Sequence, residues 1–219
     1  MSSRPSRGRY LALAAAAGAF VLLARSRCLR WGAADREVGS PLPGDDLIPN
    51  PDLTATRAIS IEAGSDRVWP WIAQLGQGRG GFYSYDFLEN LIGCDIHSAD
   101  RIVPEWQQVR VGDQVRLAPR GPVRLEVAAL QPGRWLVLRG DPTSGSPPPY
   151  DFTWSFVLRE QANGSTRLLV RERYGYRSPW ARLLVEPVEA ISFLMSSKML
   201  RGIRNRAESM TGTPSGSAR

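Results

Sequence analysis

A chain of 219 residues, 42% of them hydrophobic, is long enough for one domain with a buried core and a short appendage. The formal net charge of +7 is carried almost wholly by arginine, since Lys198 is the only lysine, and seven arginines crowd into the first 36 residues around an apolar run. No recognition motif accompanies that charge, so no nucleic-acid partner is expected, and the single histidine, His97, rules out a multi-histidine metal site.

Residues 10–24 contain no charge and are bracketed by arginines. Fifteen helical residues reach about 22 Å, short of the roughly 30 Å hydrocarbon core, although the flanking arginines can snorkel and extend the span. Arg25, Arg27 and Arg30 stand between the run and Gly32-Ala33-Ala34, which disfavours cleavage as a signal peptide. A soluble helix would expose an all-round apolar surface. The favoured expectation is an N-terminal apolar helix, residues 1–31, acting as an uncleaved single-pass membrane anchor through residues 10–24, with the side of the membrane open. Cys28 and Cys94 show no metal or redox spacing and read as free thiols, Cys28 lying close enough to the run to carry a lipid.

Residues 32–53, with Pro41, Pro43, Pro49 and Pro51, lack periodicity and read as a linker. From Thr54 the folded domain begins, with an alternating strand to Ile61 in which Ala58 opposes Ile59 and Ile61. Ser65 or Asp66 can cap a helix to about Leu75, with Pro70 tolerated near its start. Gly76-Gln77-Gly78-Arg79-Gly80-Gly81 matches G-x-G-x-x-G literally, yet a helix precedes it and Phe82-Tyr83 follows. The strand-then-helix context of a dinucleotide site is missing, and the glycines read as a tight reversal.

Ser84 can cap a second short helix whose apolar face would be Phe87, Leu88 and Leu91. Val109–Val111 and Val115–Leu117 flank Gly112-Asp113 as a hairpin signal. Two further strands, at about 123–130 and 135–139, precede a proline-rich loop at 141–149. Phe152, Trp154, Phe156 and Leu158 alternate with polar residues, Asn163-Gly164 turns the chain, and Leu168 and Val170 oppose Arg167, Arg171 and Arg173 on the return. A helix from about Pro179 to Glu208 closes the chain, with Leu184, Val188, Ile191, Met195 and Met199 on one stripe and Pro187 expected to kink it or mark a new first turn. The tail at 209–219 reads as disordered.

The segments Val68-Trp69-Pro70-Trp71-Ile72, Gly80-Gly81-Phe82-Tyr83-Ser84-Tyr85-Asp86, Ala99-Asp100-Arg101-Ile102, Val111-Gly112-Asp113 and Lys198-Met199-Leu200-Arg201-Gly202-Ile203 resemble a bacterial branch of the SRPBCC superfamily, which includes START, Bet v 1 and polyketide cyclase/dehydrase-like proteins. The resemblance covers roughly residues 54–208. It implies an α+β helix-grip fold: a curved antiparallel sheet around a long C-terminal helix, enclosing a deep apolar cavity used elsewhere for lipids, hormones or polyketides. It does not imply catalysis.

On that footing the expected partner is a hydrophobic small molecule or lipid, with no cofactor. Trp154 and Phe156 would face Ile191 and Met195 across the cavity, and methionine with aromatics suits an adaptable apolar pocket. Trp69, Tyr83, Phe87 and Trp106 complete the expected lining, while Asp86, Glu89 and Arg101 would lock the motif or offer a polar contact. Glu89 and Arg101 form the expected ion pair. An enzyme of the cyclase type would need a general acid or base aimed into the pocket, for which Glu89, Asp86, His97, Asp100, Arg101, Tyr83 and Tyr85 are the available groups. No nucleophile motif in its required context is present, so no catalytic residue is assigned. A filled core serving protein contacts is the remaining alternative.

Overall fold

The computed structural model describes residues 16, 19–20, 22–91, 93–119, 124–143 and 147–210. Most of the apolar run at 10–24 and the tail from 211 lie outside them. Among the described residues no helix is long and apolar enough to cross a membrane, so an apolar N-terminal spanning helix is not part of the described fold.

Six strands form one antiparallel sheet: β1 (Leu53–Ile61), β2 (Gln114–Arg116), β3 (Arg124–Gln131), β4 (Trp135–Gly140), β5 (Tyr150–Glu160) and β6 (Thr166–Tyr176), in the order β1-β6-β5-β4-β3-β2. The β5–β6 hairpin is the longest pairing, from Tyr150 opposite Tyr176 to Glu160 opposite Thr166, because both strands sustain apolar alternation for 11 residues. Helices α1 (Asp35–Gly39), α2 (Ser65–Ala73), α3 (Asp86–Leu91) and α4 (Ala181–Ser209) complete the described elements of α-helix longer than a turn, beside a helical stretch at 22–29. This is an α+β helix-grip arrangement, a curved open sheet against one long C-terminal helix.

The inner face of the sheet buries Ile61, Leu125, Leu138, Phe156 and Leu168 against Val68 and Ile72 of α2 and Met199, Leu200 and Ile203 of α4. Residues 32–53, read from composition as a linker, lie against the outer face. Leu42 packs there with Ala58, Val157 and Leu169, and the arginines of β6 hold the segment by its polar atoms. Arg171, 2% exposed, donates to the carbonyls of Glu37, Val38 and Ser40 and to Asp45, while Arg167 pairs with Glu37 and Arg173 donates to the Ile48 carbonyl. A hold made of guanidinium and carbonyl groups leaves no hydrophobic period to read.

Three local expectations are corrected. Val109–Val111 form no strand: β2 pairs with β3 instead, and Asp113 accepts from the Arg110 N–H while Gly112 N–H donates to the Val127 carbonyl. Helix α2 begins after Gly64 without a side-chain cap, and Ser65 Oγ donates instead to Glu160, 2.6 Å away. The third concerns α3 and the first half of α4, whose apolar residues point outward. Phe87 and Leu91 are more than 70% exposed, and Leu184, Val188 and Ile191 about half exposed. The helix α4 itself runs unbroken through Pro187.

Candidate functional site: a chamber beneath the terminal helix

Two hollows adjoin on the concave side. The smaller, about 220 Å³, lies under α4 and is walled by Phe152 and Trp154 of β5, Glu172 and Tyr174 of β6, Glu89 of α3, and Ser192, Met195 and Met199 of α4. The larger, about 410 Å³, lies toward the proline-rich loop and shares Leu117, Leu125, Phe152 and Tyr174 with the first. Its polar rim is largely occupied by internal ion pairs, Arg139 with Glu126 and Arg177 with Asp151. The smaller chamber is the more ligand-like surface: aromatic and thioether walls with a few polar atoms set into them.

Those polar atoms have definite sources. Glu172 stands in phase with Leu168 and Val170 on β6 and therefore points inward, where Arg57 of β1, in phase with Ile59 and Ile61, meets it. Arg57 Nη1 donates to Glu172 Oε1 at 2.9 Å and Nη2 to Glu189 Oε1 at 3.2 Å, with Arg57 1% exposed. Ser192 and Ser196 of α4 donate to Glu172 at 2.7 and 2.9 Å. Two carboxylates thus share one guanidinium, and burial raises the Glu189 carboxyl above its ordinary range, against the pull of Arg57. The sequence reading missed this cluster; the signal was a charged residue on each of two strands at positions whose neighbours two residues away are core.

Glu89 is the second polar element. Ser84 Oγ donates to its Oε1 at 2.6 Å, and Oε2 is buried without a partner. Burial raises its carboxyl, more than the Ser84 bond lowers it, and the charge of Asp86 adds to the rise. The indole N–H of Trp154 is likewise buried and unpartnered. Two side chains that line the same apolar chamber thus each hold a buried polar atom without a hydrogen-bond partner.

The expected site residues divide sharply. Trp154 and Met195 line the chamber, and Phe156 is wholly buried in the core with its ring 4.8 Å from that of Trp154. Ile191 and Phe87 project to the surface and line neither hollow; the inward side of α4 at that level is given to Glu189 and Ser192. Tyr83 is core, not lining: it is 2% exposed, and its hydroxyl donates to the Trp71 carbonyl at 3.1 Å. Trp69 is half-buried against the core, and Trp106 sits in a 3-10 turn whose carbonyl accepts from Arg79. Neither reaches the chamber.

Asp86 is a lock: its carboxylate accepts from the backbone N–H and hydroxyl of Ser98 at 2.7 and 2.6 Å. Arg101 is exposed and contributes only its carbonyl, to Gln74 Nε2, so the expected pair with Glu89 is absent, Glu89 being bound to Ser84. His97 is exposed beside Asp95, Asp100 pairs with Arg206, and the Tyr85 ring lies under Lys198 Nζ. Among the described residues no group of side chains could hold a metal ion. The glycine loop closes on itself, with Gly76 and Gly81 exchanging backbone bonds of 3.0 Å and no helix opening from it.

No family model matches the chain, and no curated protein matches it. Among solved structures it is similar to a hypothetical protein of Helicobacter pylori (11% identity, 76% of this chain and 95% of that one, TM-score 0.49). It is also similar to norcoclaurine synthase of Thalictrum (12%, 73% and 96%, 0.44) and to an aromatase/cyclase of Streptomyces (15%, 73% and 95%, 0.42). At this level of likeness neither ligand nor reaction transfers.

Proposed function

We propose that this protein binds a hydrophobic small molecule or lipid in the chamber beneath α4 without needing to transform it, and that residues 10–24 hold it at a membrane as a single-pass anchor. The observation that carries the binding reading is the combination of apolar walls with two buried, unpartnered polar atoms, Trp154 Nε1 and Glu89 Oε2. A ligand with an apolar body and one hydroxyl group, able to accept from the first of these atoms and donate to the second, would suit them, and unmet buried polar atoms cost about 1–3 kcal/mol each. The anchor reading is supported by the uncharged run and its flanking arginines.

The test is uptake of the neutral probe N-phenyl-1-naphthylamine by the detergent-solubilised full chain, with native mass spectrometry for co-purified lipid. Met195→Trp should fill the chamber and suppress uptake while leaving the melting temperature near that of the wild type. Undiminished uptake in a folded Met195→Trp protein, with nothing co-purified, would overturn the reading. A second reading is favoured by one observation, the raised and half-satisfied carboxyl of Glu89 in the chamber wall: an acid–base enzyme of the cyclase type. It requires turnover that Glu89→Gln abolishes in a protein that still folds and still takes up the probe.

A further inference from the structure

The first half of α4 is organised against the usual rule for a helix lying on a sheet. Its inward side carries Glu189, bound to Arg57, and Ser192, bound to Glu172. Its outward side carries Leu183, Leu184, Val188, Ile191 and Leu194, between 43 and 76% exposed. At 100° per residue these five fall within an arc of about 140°, a single continuous face. Helix α3 does the same with Phe87, Leu88 and Leu91. Both helices also wall the chamber, through Glu89 on one and Ser192 and Met195 on the other, so the outward apolar side chains flank it on two sides. A patch of this kind on a monomer marks a docking surface.

We propose that this face lies on the surface of an anionic lipid bilayer, with the chamber beside the lipid. Two further observations select lipid over another occupant. First, the apolar run of residues 10–24 ends at the head of this same face: Arg25 pairs with Glu186 at 3.4 Å, and Phe20, Leu22 and Leu23 stand exposed just before it. Second, the charge on α4 beyond the patch is mainly basic, with Glu208 the acidic exception at its far end. From Pro187 to Ala207 the only acidic residue is Glu189, which is turned inward, whereas Lys198, Arg201, Arg204 and Arg206 are basic. Apolar side chains bordered by bases suit acidic headgroups; a second copy would set the same bases against each other. The docking rests on the membrane reading of residues 10–24 only for its setting, and the two can be tested apart.

The experiment places an environment-sensitive nitrobenzoxadiazole label at Ile191→Cys in the full chain lacking its own thiols (Cys28→Ser, Cys94→Ser), reconstituted into phosphatidylglycerol-containing vesicles. Its control is the same label at Ala162→Cys, on the β5–β6 turn near the opposite end of α4. Emission from position 191 should rise severalfold and shift to the blue on vesicles while that from 162 stays unchanged, and Leu184→Glu, an exposed change that leaves folding intact, should abolish the rise. An unchanged signal at 191 with the chain on the vesicles overturns the docking. So does a signal at 191 that rises with protein concentration in the absence of lipid, which would assign the face to a second copy. Extraction with alkaline carbonate separates the two readings: a chain retained while 191 is silent keeps the anchor and loses the docking, and a chain stripped although 191 had responded does the reverse.

Discussion

The two halves of α4 obey opposite arrangements. From Ser196 onward Met199, Leu200, Ile203 and Ala207 are buried against the sheet and α2, Arg201 is exposed, and Arg206 folds over Trp71 and Tyr83. Before Ser196 the sheet side receives Glu189, Ser192 and the Arg57 they surround, and the leucines turn outward. One half closes the core; the other leaves room for the chamber and presents a surface. Packing density alone would never select the first-half arrangement, so its residues report on binding, and those of the second half on stability.

The largest expected effect separates the halves at their hinge of charge. Arg57→Met leaves Glu172 and Glu189 buried without a counter-ion and should cost about 3–5 kcal/mol. Chemical denaturation at neutral pH measures it, and a loss below 1 kcal/mol would mean the cluster is hydrated and the comparison mistaken. Next comes Gly202→Ala in the closed half, where a Cβ would sit 2.3 Å from the Tyr83 carbonyl oxygen. Overpacking of that kind costs on the order of 1–3 kcal/mol, and a thermal melt within a degree of wild type would refute it.

A smaller, pH-dependent effect tests the open half. Burial holds the Glu189 carboxyl above its ordinary 4.5 in the folded protein. A group whose folded value lies above its unfolded value contributes stability that is complete below pH 4.5 and fades as pH climbs through the folded value. Glu189→Gln keeps an acceptor for Arg57 and leaves it one carboxylate partner, so its melting temperature should fall less than that of the wild type between pH 4.5 and 7. Parallel curves would contradict that origin. Leu184→Ser, on the exposed face, should change stability by less than about 0.5 kcal/mol while lowering the vesicle-induced emission of a label at position 191; a marked destabilisation would show the face to be covered within the chain.

These contrasts explain what could be read without coordinates. The β5–β6 hairpin was legible because Phe152, Trp154 and Phe156 alternate locally, and α4 was legible as a helix because its apolar residues recur at 3.6. Which way it faces was not, since Leu184, Val188 and Ile191 look like a core stripe until Arg57, more than a hundred residues earlier, draws Glu189 inward. Phe87 and Leu91 failed for the same reason: a short helix offers an apolar face without saying whether anything covers it. Glu89 was singled out, but its partner Ser84 and not Arg101 emerged only from the turn that Asp86 locks to Ser98. Residues 32–53 were opaque because what binds them, the β6 arginines, reads as ordinary strand surface.

Arg57 also donates from Nε to the Cys28 carbonyl at 3.3 Å, and Ala58 N–H donates to the Trp31 carbonyl at 3.0 Å. With Arg25 held by Glu186, the strand edge and the helix are fastened to the chain within a few residues of where the apolar run stops. A flexible tether of n residues would roam about 5–6 Å × √n; here almost no slack exists. Fixed to a membrane in this way, the domain would be a bracket with no reach, unable to ferry cargo across a gap, and whatever exchanges with its chamber would have to come to it.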